Sequence, residues 1–95
     1  MTISIAASGA STYTVTVAEG RSRTVHAVTV TESDIQRYAP GSSAERLLEA
    51  SFEFLLEREP ASSILSRFAL PVIERYFPEY PQTIRTKLAG GARST

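Results

Sequence analysis

The chain of 95 residues has no cysteine and only one histidine. Without thiols there is no disulfide framework, no thiolate metal site and no cysteine nucleophile, and a single imidazole leaves any metal site dependent on oxygen ligands. Charge of one sign is also lacking. Ten basic and ten acidic side chains cancel, which removes the broad attraction to phosphate on which most nucleic-acid binders rely. No apolar run approaches the roughly 18 residues of a membrane span, and the first residues lack the charged and apolar regions of a signal peptide, so a cytoplasmic protein is expected. A Gly-x-x-x-x-Gly-Lys phosphate cradle and a Gly-x-Ser-x-Gly nucleophile elbow are likewise missing. What remains, 42% hydrophobic and 21% charged residues, describes one ordinary domain held by its apolar core or by self-association.

The first third favours strands. Thr12 to Ala18 alternates Tyr13, Val15 and Val17 with Thr12, Thr14 and Thr16, the period of a half-buried strand. The polar connection Glu19-Gly20-Arg21-Ser22-Arg23 and the β-branched run Thr24 to Val30 complete an antiparallel hairpin. Ile3 and Ile5 offer a third strand, closed onto the hairpin by Ser8-Gly9-Ala10-Ser11. From Thr31 the period becomes helical. Thr31 or Ser33 caps a short helix through Asp34, Ile35 and Tyr38, which Pro40-Gly41 stops. Ser42 with Glu45 has capping-box spacing, and Ala44, Leu47, Leu48, Ser51, Phe52 and Leu55 then recur at helical intervals, predicting a helix over residues 43–58. Phe54, Leu55 and Leu56 are consecutive, so this helix needs cover on more than one side. Three short helices are expected after it: Ile64 to Phe68 behind a Ser62 or Ser63 cap, one opening at Pro71, and one opening at Pro81 and reaching Leu88. The fold expected is α+β: an N-terminal antiparallel sheet of two or three strands, packed on one long helix and several short C-terminal helices. Residues 1–88 form one domain, and the Gly- and Ala-rich end, 89–95, is expected to be disordered.

The run Ser51-Phe52-Glu53-Phe54-Leu55-Leu56-Glu57-Arg58-Glu59-Pro60, then Ser63-Ile64-Leu65, then Val72-Ile73-Glu74-Arg75-Tyr76-Phe77-Pro78-Glu79-Tyr80, resembles a family of small bacterial proteins whose biochemical role is uncharacterised. His26 in His-Ala-Val-Thr-Val is similar to part of the same pattern. The resemblance spans residues 24–80 and implies a bacterial, cytoplasmic origin, without implying an activity.

Few residues form a chemical constellation. Glu45, Glu49, Glu53 and Glu57 recur every four residues and make a mildly self-repelling ridge. Residues 45–60 hold five acids against two bases, and residues 61–95 five bases against two acids, so Arg67, Arg75 or Arg85 is expected to fold back beside the ridge. Paired carboxylates do acid–base work only where burial separates their pKa values, and a solvated helix face does not provide that. His26, on a strand face with Val28 and Val30, reads as a partly buried, hydrogen-bonded imidazole and the one candidate polar site. Pro40-Gly41-Ser42-Ser43 reads as a cap rather than an anion site. In the turn Tyr76-Phe77-Pro78-Glu79-Tyr80-Pro81, Phe77 is expected inside, whereas Arg58, Arg75, Tyr76 and Tyr80 are candidates for a protein-facing surface. The reading that follows is a non-enzymatic interaction or binding module without cofactor, metal or catalytic set. It would bind a protein partner through residues 58–80, or a copy of itself through a sheet edge. The alternative is a small nucleic-acid-associated regulator with Arg67, Arg75, Arg85 and Lys87 as a local basic face. A minor enzyme reading sets His26 beside a carboxylate in a cleft.

Overall fold

The computed structural model describes residues 2–93. Its elements are β1 (Thr2–Ala7), β2 (Thr12–Glu19), β3 (Ser22–Thr29), α1 (Glu32–Tyr38), α2 (Ala44–Leu56), a 3₁₀ turn (Ala61–Ser63), β4 (Arg67–Ala69), α3 (Val72–Tyr76) and α4 (Tyr80–Arg93). The four strands form one mixed sheet in the order β1-β2-β3-β4. β1, β2 and β3 are an antiparallel meander with Ile5 opposite Val15 and Val15 opposite His26. Gly20, at φ +60°, makes the two-residue turn between β2 and β3, a conformation open to glycine at little cost.

The fourth strand corrects the expectation of two or three strands. Residues 67–69 run parallel to β3, with Val28 opposite Phe68, and Leu70 N–H donates to the Thr29 carbonyl. The helix expected from Ile64 to Phe68 does not form; its Ser62–Ser63 cap is absorbed into the 3₁₀ turn. The physical reason lies in the burial pattern. Phe68 and Leu70 are buried while Arg67 and Ala69 are exposed, the alternation of a strand, and pairing with β3 satisfies backbone groups that so short a helix would leave open.

α2 lies at the centre of the molecule. Ser43 accepts a hydrogen bond from Arg46 N–H at its start. The helix ends at Leu56, two residues before the expected stop, and a tight turn through Arg58 and Glu59 leads to Pro60, which disfavours helical backbone in the residue before it. Leu47, Leu48, Phe52 and Phe54 are fully buried and Leu55 nearly so, a contribution of about 1.5–3 kcal/mol for each such side chain. The two flanks meet different neighbours. Phe52 packs against His26 and Phe68 on the sheet side, with ring centroids 5.3 and 6.3 Å away, and Phe54 packs edge-on against Phe77 and Tyr80 at 5.7 and 5.3 Å.

α4 is also longer than expected. It opens at Tyr80-Pro81 and carries Tyr80 and Ile84 into the core, with Leu88 packed against it. Its helical backbone runs through Gly90 and Gly91 to Arg93. Ser94 and Thr95 lie outside the described residues.

Candidate functional site

His26 is 2% exposed. Its Nδ1 lies 2.8 Å from the Leu65 carbonyl oxygen, which only accepts, so Nδ1–H is the donor there. In the neutral ring Nε2 then accepts from the Thr24 hydroxyl at 2.9 Å. Both nitrogens are thereby engaged, and the ring packs on Phe52. The hydrogen-bonded imidazole expected from the strand pattern is thus present, more deeply buried than expected. Its partners include no carboxylate. The bond to Leu65 has a second consequence: it ties the loop after α2 to the middle of the sheet and fixes the backbone from which the Leu65 side chain projects outward.

The glutamate ridge faces solvent along α2. Its partner is not one of the expected arginines. Lys87 on α4 donates to Glu57 at 3.1 Å, and this hydrogen bond and charge hold the Glu57 carboxyl below its ordinary pKa. Arg85 instead donates to the Arg37 carbonyl oxygen, while Arg67 and Arg75 are exposed on β4 and α3. The four residues of the expected basic face therefore occupy separate settings, and two of them are bonded within the molecule.

Of the four candidate surface residues, the structure separates two from the rest. Tyr80 is fully buried, correcting its expected exposure. Its hydroxyl lies 2.6 Å from Ser51 Oγ, which itself donates to the Leu47 carbonyl, so Ser51 gives the phenol a polar partner inside the core. Arg58 is a brace. Its guanidinium lies 3.7 Å from the Phe54 ring centre, donates to the Phe54 carbonyl at 3.1 Å and to Glu79 at 3.2 Å, and so covers the end of α2. Arg75 is exposed, and Tyr76 is 67% exposed.

Beside Tyr76 lies a groove of about 430 Å³. Leu55 from the end of α2, Ile64 from the connecting segment, Phe68 from β4, Val72 and Ile73 from α3 and Phe77 just after it supply its apolar lining. Leu65, 47% exposed, lines it as well, together with Tyr76. Glu59 and Ser63 are the polar lining residues. Glu59 is thus the one charge of the groove. Two large side chains left in water among an otherwise apolar lining are the pattern of a surface that another molecule covers. Of this lining the sequence reading named Tyr76 as a surface candidate; Leu65 escaped it because a helix was expected there. Read with the alternation that Phe68 and Leu70 obey, position 65 turns outward, and that is the signal for an exposed leucine.

Among the described residues no three acidic or histidine side chains gather to hold a metal ion, and no helix is long and apolar enough to cross a membrane. No family model, curated protein or solved structure matches the chain.

Proposed function

We propose that the protein is a small cytoplasmic, non-enzymatic interaction module that receives an amphipathic segment of a partner protein in the groove between the end of α2 and α3. The observation that carries this reading is the presence of two exposed large side chains, Leu65 and Tyr76, in the lining of one apolar groove with a single carboxylate. The trough suits two or three apolar side chains spaced along one face of a helix, and Glu59 suits a lysine or arginine beside them. The resemblance to small bacterial proteins belongs to the same proposal. A non-catalytic role is supported by His26, whose two nitrogens are engaged in the core, and by glutamates that face water rather than converging. The basic-face alternative has less support, since Arg85 and Lys87 already serve intramolecular partners.

Selection of a displayed peptide library against the immobilised protein tests the reading, with Leu65→Glu as the counter-target. Sequences with apolar residues at helical spacing and a basic residue are expected. Their affinity should fall at least about tenfold on Leu65→Glu, which sets a second carboxylate against the apolar face, and less on Glu59→Gln. Peptides that bind Leu65→Glu as well as the native chain would overturn the groove as the site.

A further inference from the structure

The sheet has two edges. β4 is only three residues long, whereas β1 presents six, Thr2–Ala7, without a charge or a proline. Edges left open in water are ordinarily blunted by lysine, proline, a bulge or a covering element, and β1 carries neither of the two side-chain devices. We propose that β1 is the pairing edge for a second copy of this chain, joined across a two-fold axis into one continuous sheet. The groove has no part in this contact.

The backbone determines how the copies meet. Ser8 N–H donates to the Thr12 carbonyl at 2.9 Å, and antiparallel ladders alternate, so Thr2, Ser4 and Ala6 turn their peptide groups toward β2. The N–H and C=O groups of Ile3, Ile5 and Ala7 therefore point away from the sheet, where the described residues place no strand. A second β1 running the opposite way offers the same three residues in return. Nothing repels it, because neither strand is charged.

Side chains choose the register. Ile3 and Ile5 lie on the inner face with Val17 and Val15 as their neighbours on β2, yet those valines are fully buried and the isoleucines only partly so. The apolar layer thus stops short of complete cover at β1. Outward-turned residues must meet outward-turned residues, which leaves two centred registers: Ser4 opposite Ser4, or Ile5 opposite Ile5. The first sets Ile3 of each copy opposite Ile5 of the other and forms two isoleucine pairs. The second forms one such pair and sets Ile3 opposite Ala7. The first register buries more apolar surface and is the one assigned. It keeps both helical layers on one side of the joined sheet and brings the two Ser4 residues together as a non-hydrogen-bonded pair, with Cα atoms about 4.5 Å apart.

Sedimentation equilibrium over a concentration series tests the pairing directly; the mass should rise from monomer toward dimer. Ile5→Pro removes an N–H that β2 does not use, so the fold should persist by circular dichroism while the dimer weakens at least roughly thirtyfold, one lost bond from each copy beside the loss of both isoleucine pairs. Because the chain has no thiol, Ser4→Cys introduces the sole one, and mild oxidation should link two copies in native buffer but not in denaturant. Thr16→Cys, on the same sheet face one strand further in, should not link. Leu65→Glu should leave the dimer intact, which separates this contact from the groove. A monomer mass at millimolar concentration overturns the proposal. So does cross-linking of Ser4→Cys no faster than that of Thr16→Cys, or a dimer that survives Ile5→Pro and is lost with Leu65→Glu.

Discussion

Tyr38 and Tyr80 meet edge to face, with ring centres 5.1 Å apart, and each hydroxyl has a different partner. Tyr38 donates to the Glu74 carboxylate at 2.8 Å; burial, with this bond behind it, raises its pKa to about 12. Burial likewise pushes Tyr80 above the ordinary phenol range. A raised phenol pKa favours the folded state while the ring stays neutral. The contribution of Tyr38 is therefore complete below pH 10, its ordinary value, and is lost as pH rises through about 12. Urea midpoints measured across that range should fall, and more gently for Glu74→Gln, which removes the carboxylate that holds the proton. His26 offers a second test. Replacing it with leucine keeps an apolar body against Phe52 but strips Leu65 and Thr24 of their partner, so unfolding should need about 1–3 kcal/mol less free energy. Amide exchange over residues 64–66 should quicken in that variant. At this scale the histidine was readable in the sequence, since a strand face shared with Val28 and Val30 forces its burial. Tyr80 was not, because the clue was Ser51, a small polar residue on an apolar helical stripe that only the folded arrangement pairs with a phenol.

Between elements, the long-range ties are few and specific. α4 is fastened to the exposed end of α2 by Lys87 and Glu57, a pair in water whose effect is small and screened by salt. The lowered pKa of Glu57 means that this tie is present above the ordinary glutamate value and disappears as pH falls through the folded value. Lys87→Met should return the Glu57 carboxyl toward its ordinary range in an NMR titration, with little change in stability. α2 and the hairpin were legible because their apolar residues repeat with one clear period over many positions. The segment 61–70 was not. Its serines signal a helix start with equal force whether a full helix or a single 3₁₀ turn follows, and a three-residue strand offers too few positions for its alternation to outweigh that cap. The difference bears on the groove, since this segment lines it through Ile64, Leu65 and Phe68.

For the molecule as a whole, protection from exchange should grade from the middle of the sheet outward. β2 and β3 pair along their full length and carry Val15, Val17 and Val28 at the centre of the core, so their amides should exchange only on global opening. The amides of Ile3, Ile5 and Ala7 should exchange fast in dilute protein and slow as concentration rises, while Thr14 and Thr16 remain unchanged. The overall architecture, a meander beneath a central helix, followed from the sequence because local periods suffice to define it. The β4 seam joins residues far apart along the chain, and no local pattern encodes such a pairing. That distance orders the assembly during synthesis. The meander leaves the ribosome with its valine face bare, and α2 is the first element able to cover it. Only when Leu70 has emerged can the last seam close over the imidazole and its phenylalanine neighbour. A chain halted just short of that point would keep a greasy, half-roofed sheet, ready for chaperones or for a protease.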